Sequence, residues 1–145
     1  MTRDETKAAL VALCGLVCDG VTMGQFTEVL ELRRAQLAHD LRELVAEGRL
    51  RRGWDESERR SYWYDPKVVE WAEELNGRLT CWYVGLTMPQ WFPQHVGKPR
   101  PGENLDQVIR ATRIMRRLVD ETEDGRVIHC HVDEAALWRA WGERI

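Results

Sequence analysis

The stretch "RRAQLAHDLRELVAEGRLRRGW", Arg33 to Trp54, changes character twice. It opens on polar side chains, settles into leucines at helical spacing, stops at Gly48 and continues as an arginine-rich run. Leu37, Leu41, Leu44 and Val45 recur at intervals of three and four, which predicts a helix from about Arg33 to Glu47 with one apolar stripe. Gly48 stands where a helix ends in the left-handed conformation. With the leucines turned inward, a step of about 100° per residue puts Ala35, Gln36, His39, Arg42 and Glu43 on the outer face. Asp40 falls on or near that face.

Upstream, Thr2 and Glu5 have capping-box spacing, and Leu10, Leu13, Cys14 and Val17 then repeat at helical intervals. "CDG" at 18–20 breaks this first helix. Thr22 and Gln25 repeat the capping signal and open a short helix, "MGQFTEVL", with Phe26, Val29 and Leu30 as its apolar face. "ELR" is a tight connection into the third helix. Downstream, "RLRRGW" and "RRSYWYD" flank the polar turn "DESE", which predicts a hairpin because the second arm is rich in aromatic residues. Pro66 suits the start of another helix, "PKVVEWAEEL", which Asn76-Gly77 is expected to end.

The second half reads as β-loop-α-β-α. "RLTCWYVGL" (78–86) is expected to be a strand. "TMPQWFPQHVGKPRPGE" (87–103) is a loop holding four of the five prolines, and loops of that length in small domains are often functional. Asn104 can cap a helix from Leu105 to about Glu121, "RVIHCHV" (126–132) reads as a strand, and Asp133 caps a last helix. The expected fold is α+β, with a domain over 1–75 and a second over 76–145.

Composition bounds what such a chain does. The 145 residues are 43% hydrophobic and 31% charged, a globular balance. No run approaches about 18 apolar residues, so no membrane span is expected. The N-terminal segment is acidic early and lacks an apolar signal core, so a cytoplasmic protein is expected, with Cys14, Cys18, Cys81 and Cys130 as free thiols. Net charge is −3, with 11 basic against 15 acidic residues over 1–75 and 10 against 9 over 76–145. Nucleic-acid binding normally rests on a basic excess, so any such surface here must be a local patch.

Helix, short helix, tight turn, helix, glycine and a hairpin with arginine and aromatic arms resemble the order of a winged helix-turn-helix domain. Leu32, Leu37, Leu41, Leu44, Gly48, Leu50 and Tyr64 match the anchors of the bacterial repressor pattern, over about residues 5–75; no family is recognised for 78–145. The resemblance implies a DNA-binding transcriptional regulator whose third helix enters the major groove while its wing touches the adjacent backbone. The residues it singles out are Arg33, Arg34, Gln36, His39 and Arg42 on the helix and Arg51, Arg52, Arg59 and Arg60 on the wing arms. The expected partners are double-stranded DNA and a second copy of the chain. The sequence departs from the pattern at Asp55, Glu56 and Glu58, three acids at the expected wing tip, where close approach to phosphate is repulsive. The alternative is therefore a winged-helix protein of phage or mobile-element type that holds another macromolecule and binds no DNA.

Other features point less far. Cys14 and Cys18 have an i, i+4 spacing but lie on or beside the apolar stripe, where a thiol packs as a small hydrophobe. His129 and His131 share one strand face and can ligate zinc, with His95, Asp133 or Glu134 as a third ligand, but no ligand pair elsewhere has convincing spacing, so a solvated strand face is expected and no metal is assigned. Trp91 and Phe92 between prolines, and an arginine ridge of Arg110, Arg113 and Arg117 on the helix 105–121, are the candidates for partner contact. There is no glycine-rich phosphate loop, nucleophile elbow or carboxylate pair with a base, and neither enzymatic activity nor a cofactor is expected.

Overall fold

The structure is a computed structural model that describes residues 2–87, 90 and 98–120. Its class is α+β: α1 (Arg3–Leu16), α2 (Met23–Leu30), α3 (Arg34–Ala46), β1 (Arg51–Asp55), β2 (Arg60–Tyr64), α4 (Pro66–Thr87) and α5 (Leu105–Asp120). The expected helix caps are in place. Thr22 and Gln25 exchange side-chain and backbone hydrogen bonds at the start of α2. Asn104 and Gln107 do the same at α5, where the Gln107 amide donates to Asn104 Oδ1 at 3.0 Å. At α1 one half of the box forms, the Glu5 amide donating to Thr2 Oγ1 at 3.2 Å. Gly48 ends α3 with φ +75°, the conformation that frees the chain to turn into β1.

β1 and β2 are antiparallel, with Arg51 opposite Tyr64 and Asp55 opposite Arg60. Side chains alternate across a strand, and β2 uses that alternation to separate two cores. Trp63 points one way, into Leu10, Cys14, Val21, Phe26, Leu37, Leu41, Leu44 and Leu50. Tyr62 and Tyr64 point the other way, into a cluster built by α4 and α5 that includes Val69, Leu75, Leu79, Trp82, Ile114 and Met115. The Trp63 ring meets Phe26 edge-on at 6.0 Å. Its backbone exchanges two 2.9 Å hydrogen bonds with Val21, so the segment before α2 is fastened to the hairpin.

Several expectations are corrected. Asn76-Gly77 does not end α4, and 78–86 is not a strand, because the helix continues to Thr87. Val69, Ala72, Leu75, Leu79 and Trp82 keep helical spacing through the glycine and all are buried. That burial outweighs the roughly 1 kcal/mol a helical glycine costs. Asn76 is itself buried and donates from Nδ2 to Thr112 Oγ1 of α5 at 3.3 Å. Val29 is 59% exposed and not part of an apolar face. Cys18 lies beyond the end of α1 and is exposed, whereas Cys14 is buried as expected. The strand over 126–132, the helix after Asp133, Trp91, Phe92, His95, His129 and His131 lie outside the described residues. Among the described residues no helix is long and apolar enough to cross a membrane.

Candidate nucleic-acid interface

α3 and the hairpin enclose two adjoining clefts that share Met23 and Trp63. The first, about 550 Å³, has Arg42 on its helix side and Arg51 and Arg52 on its strand side. The second, about 460 Å³, lies toward the start of α3 and is walled by Arg34, Arg59 and Arg60. Six arginines from α3 and the hairpin thus line the clefts on either side of one tryptophan, and among the described residues no carboxylate lines either cleft. Arg52 is held in place: its Nη2 donates to Ser61 Oγ at 2.7 Å, and its guanidinium lies 6.0 Å from the Trp63 ring centre.

The acids that the sequence placed near this surface are drawn elsewhere. Asp40 is not on the exposed face of α3 but buried, accepting from Arg3 Nε at 3.3 Å. Glu43 Oε2 and Glu47 Oε1 each lie 2.8 Å from Lys7 Nζ. These hydrogen bonds from Lys7 hold both carboxyls below their ordinary range. Asp40, Glu43 and Glu47 form one stripe of α3, and Arg3 and Lys7, four apart, form the matching stripe of α1. That complementary spacing is legible in the sequence, though it carries no sign of which helices pack together.

His39 belongs to this second flank, its Nε2 lying 3.1 Å from Glu43 Oε1 with Arg3 against both. His39, Asp40 and Glu43 bring potential metal-ligand atoms within 4.8 Å of one another. The Arg3 guanidinium contacts all three, so their cation is supplied by the chain itself. Gln36 is exposed and lines neither cleft. It sits about 120° around α3 from Arg42 at 100° per residue. Arg33 precedes α3 as its exposed cap residue. Of the nine residues singled out from sequence, the structure gathers Arg34, Arg42, Arg51, Arg52, Arg59 and Arg60, and leaves Arg33, Gln36 and His39 off the clefts.

The expected cluster of three acids at the hairpin tip is also corrected. Asp55 is the last residue of β1 and is buried. It accepts from Arg117 Nε at 2.9 Å, from Ser57 Oγ at 2.8 Å and from the Glu58 amide at 3.0 Å. Burial opposes its ionisation, but these donors prevail and hold its carboxyl down at about 2. Glu56 accepts from Trp54 Nε1 at 2.7 Å, and Glu58 pairs with Arg60 at 3.5 Å and accepts from the Tyr62 hydroxyl.

Arg117 reads in the sequence as part of an exposed arginine ridge offered for partner contact. It is buried instead, with Nη1 donating to the Tyr64 hydroxyl at 2.8 Å and its guanidinium 3.8 Å from the centre of the Tyr62 ring. Arg110 and Arg113 do remain exposed, Arg110 pairing with Asp19 at 3.2 Å. Cys14 offers no chemistry here, since burial pushes its thiol up to about 12 and the reactive thiolate is suppressed.

No protein-family model matches this chain, and no curated protein or solved structure does either.

Proposed function

We propose that this chain is a winged helix-turn-helix protein that binds double-stranded DNA and regulates transcription, with α3 presented to the major groove and the hairpin as its wing. The observation that carries this reading is the pair of adjoining clefts with six arginines and no lining carboxylate. Phosphate contact is the main source of affinity for such proteins, and it needs local positive charge rather than a positive chain. A net charge of −3 is compatible with it because the acids of α3 are neutralised by α1 and Asp55 by α5. In this arrangement Arg34 and Arg42 are the base-reading side chains, and Arg51, Arg52, Arg59 and Arg60 meet phosphates. A homodimer would place two copies of α3 on successive half-sites.

The test is binding of random duplex DNA by the full chain across a salt series. Removing one arginine from a phosphate should lower the salt slope by about 0.9, so Arg52→Ala with Arg60→Ala should lower it by roughly 2. An unchanged slope removes the hairpin from the interface. Absence of DNA binding at low salt overturns the reading and leaves the alternative, a scaffold that holds a protein partner.

A further inference from the structure

On the opposite side of β2 from the Trp63 clefts, the turn after α1 and one side of α5 enclose a cavity of about 470 Å³. Its walls carry Arg110, Arg113 and Arg117, spaced i, i+3 and i+7 on α5, with Tyr62 and Gly20 facing them. Asp19 is its single carboxylate among the described residues. The volume falls in the range of small-molecule sites, and the Arg110 and Arg113 guanidinium groups that line it are forked donors suited to oxyanions.

We propose that this cavity is a binding site for a small polyanion bearing carboxylate or phosphate groups, held by Arg110 and Arg113 over a floor made by Arg117 and Tyr62. Three observations support it. Arg110 already carries a carboxylate, that of Asp19 at 3.2 Å, so the chain itself shows which chemistry the site accepts. That internal ligand is weakly held, because both side chains of the pair are more than half exposed, at 52% and 64%, and water competes well for exposed ion pairs. The floor is rigid: Arg117 is fixed by Asp55 and by the Tyr64 hydroxyl, and also donates to the Asp19 carbonyl oxygen at 3.3 Å. A preorganised floor lowers the ordering cost of binding. The site does not depend on the DNA reading, since Trp63 belongs to the clefts of one face of β2 and Tyr62 to the cavity of the other. Its occupant would nonetheless bear on the hairpin, because Arg117 joins the cavity floor to Asp55 of β1 and Tyr64 of β2.

The experiment is titration of the full chain with pyrophosphate and, separately, with citrate, at constant ionic strength. It is read by calorimetry and by the amide resonance of Gly20. Saturable binding of pyrophosphate alone assigns a phosphate-bearing ligand, and of citrate alone a carboxylate-bearing one; both outcomes support the site. Arg110→Gln and Arg113→Gln, at exposed positions, should each weaken binding at least about tenfold, the loss of a charge-assisted hydrogen bond. Asp19→Asn should tighten it about two- to fivefold by removing the competing carboxylate. The Arg42→Ala, Arg52→Ala double variant should leave it unchanged. Failure of both anions to saturate overturns the proposal. So does binding that survives both glutamine changes, or that disappears when the arginines of the α3 clefts are replaced.

Discussion

Arg117 Nε and Asp55 Oδ2 meet at 2.9 Å across 62 residues of sequence, with 11% and 6% of their side chains exposed. This contact joins α5 to the hairpin. Burying two charges is unfavourable unless their remaining hydrogen-bonding positions are filled. Here Ser57 and the Glu58 amide complete Asp55, while Tyr64, the Asp19 carbonyl and the Tyr62 ring complete Arg117.

Removal of one partner strands the other. Arg117→Met and Asp55→Asn should each cost about 3–5 kcal/mol in urea denaturation. The double variant should lose less than the sum of the two, because neither charge is then left alone. Single losses below about 1 kcal/mol would mean that the pair is incidental to the packing of α5.

The same carboxylate sets an acid limit. Its folded value of about 2 lies below the ordinary 3.8, so the folded state favours the ionised form. A group depressed in this way contributes its full stability above about pH 4, and that contribution is lost as the pH falls toward 2. Urea midpoints measured from pH 5 down to pH 2 should therefore fall more steeply in the wild type than in Asp55→Asn. Parallel curves for the two proteins would contradict the assignment.

Two glycines separate conformation from space. Gly20 has φ +89°, and a Cβ there would lie 2.6 Å from Tyr64 Cε1; the ring is fully buried and tied to Arg117, so it cannot yield. Gly48 has φ +75° with nothing within 4 Å of an added Cβ. Gly48→Ala should cost only the left-handed penalty of about 1–2 kcal/mol. Gly20→Ala should cost about 2–5 kcal/mol, because overpacking adds to that penalty. Equal losses by thermal or chemical denaturation would show that the Tyr64 ring is not the obstacle.

Under the proposed function, position around α3 separates base readers from bystanders. Arg42→Ala should cost about 1–3 kcal/mol on a selected duplex and much less on random DNA, as expected for a base contact. Gln36→Ala, about 120° around the helix, should change either affinity less. Competition binding on the two duplexes decides between them, and equal loss on both for Arg42 would make it a phosphate contact rather than a reader.

The sequence by itself determined the local elements. Leucine periodicity set α3, Gly48 set its end, Thr22 with Gln25 and Asn104 set two helix starts, and the run of aromatic residues in "SYWY" set β2. Each of these signals acts within a few residues, where spacing along the chain is nearly spacing in space. The sequence also named the six cleft arginines, since five lie on α3 or the hairpin strands beside it, although Arg59, expected on a wing arm, stands in the turn between the strands. Only the tertiary structure decided the charges. Whether Asp40 faces solvent depends on Arg3, 37 residues away, and whether Asp55 is a free acid at the hairpin tip depends on Arg117, 62 residues away. The passage of α4 through Asn76-Gly77 was decided in the same way, by the apolar face of α5 that covers it. Local preference is worth about 1 kcal/mol per residue, and burial against a distant helix exceeds it.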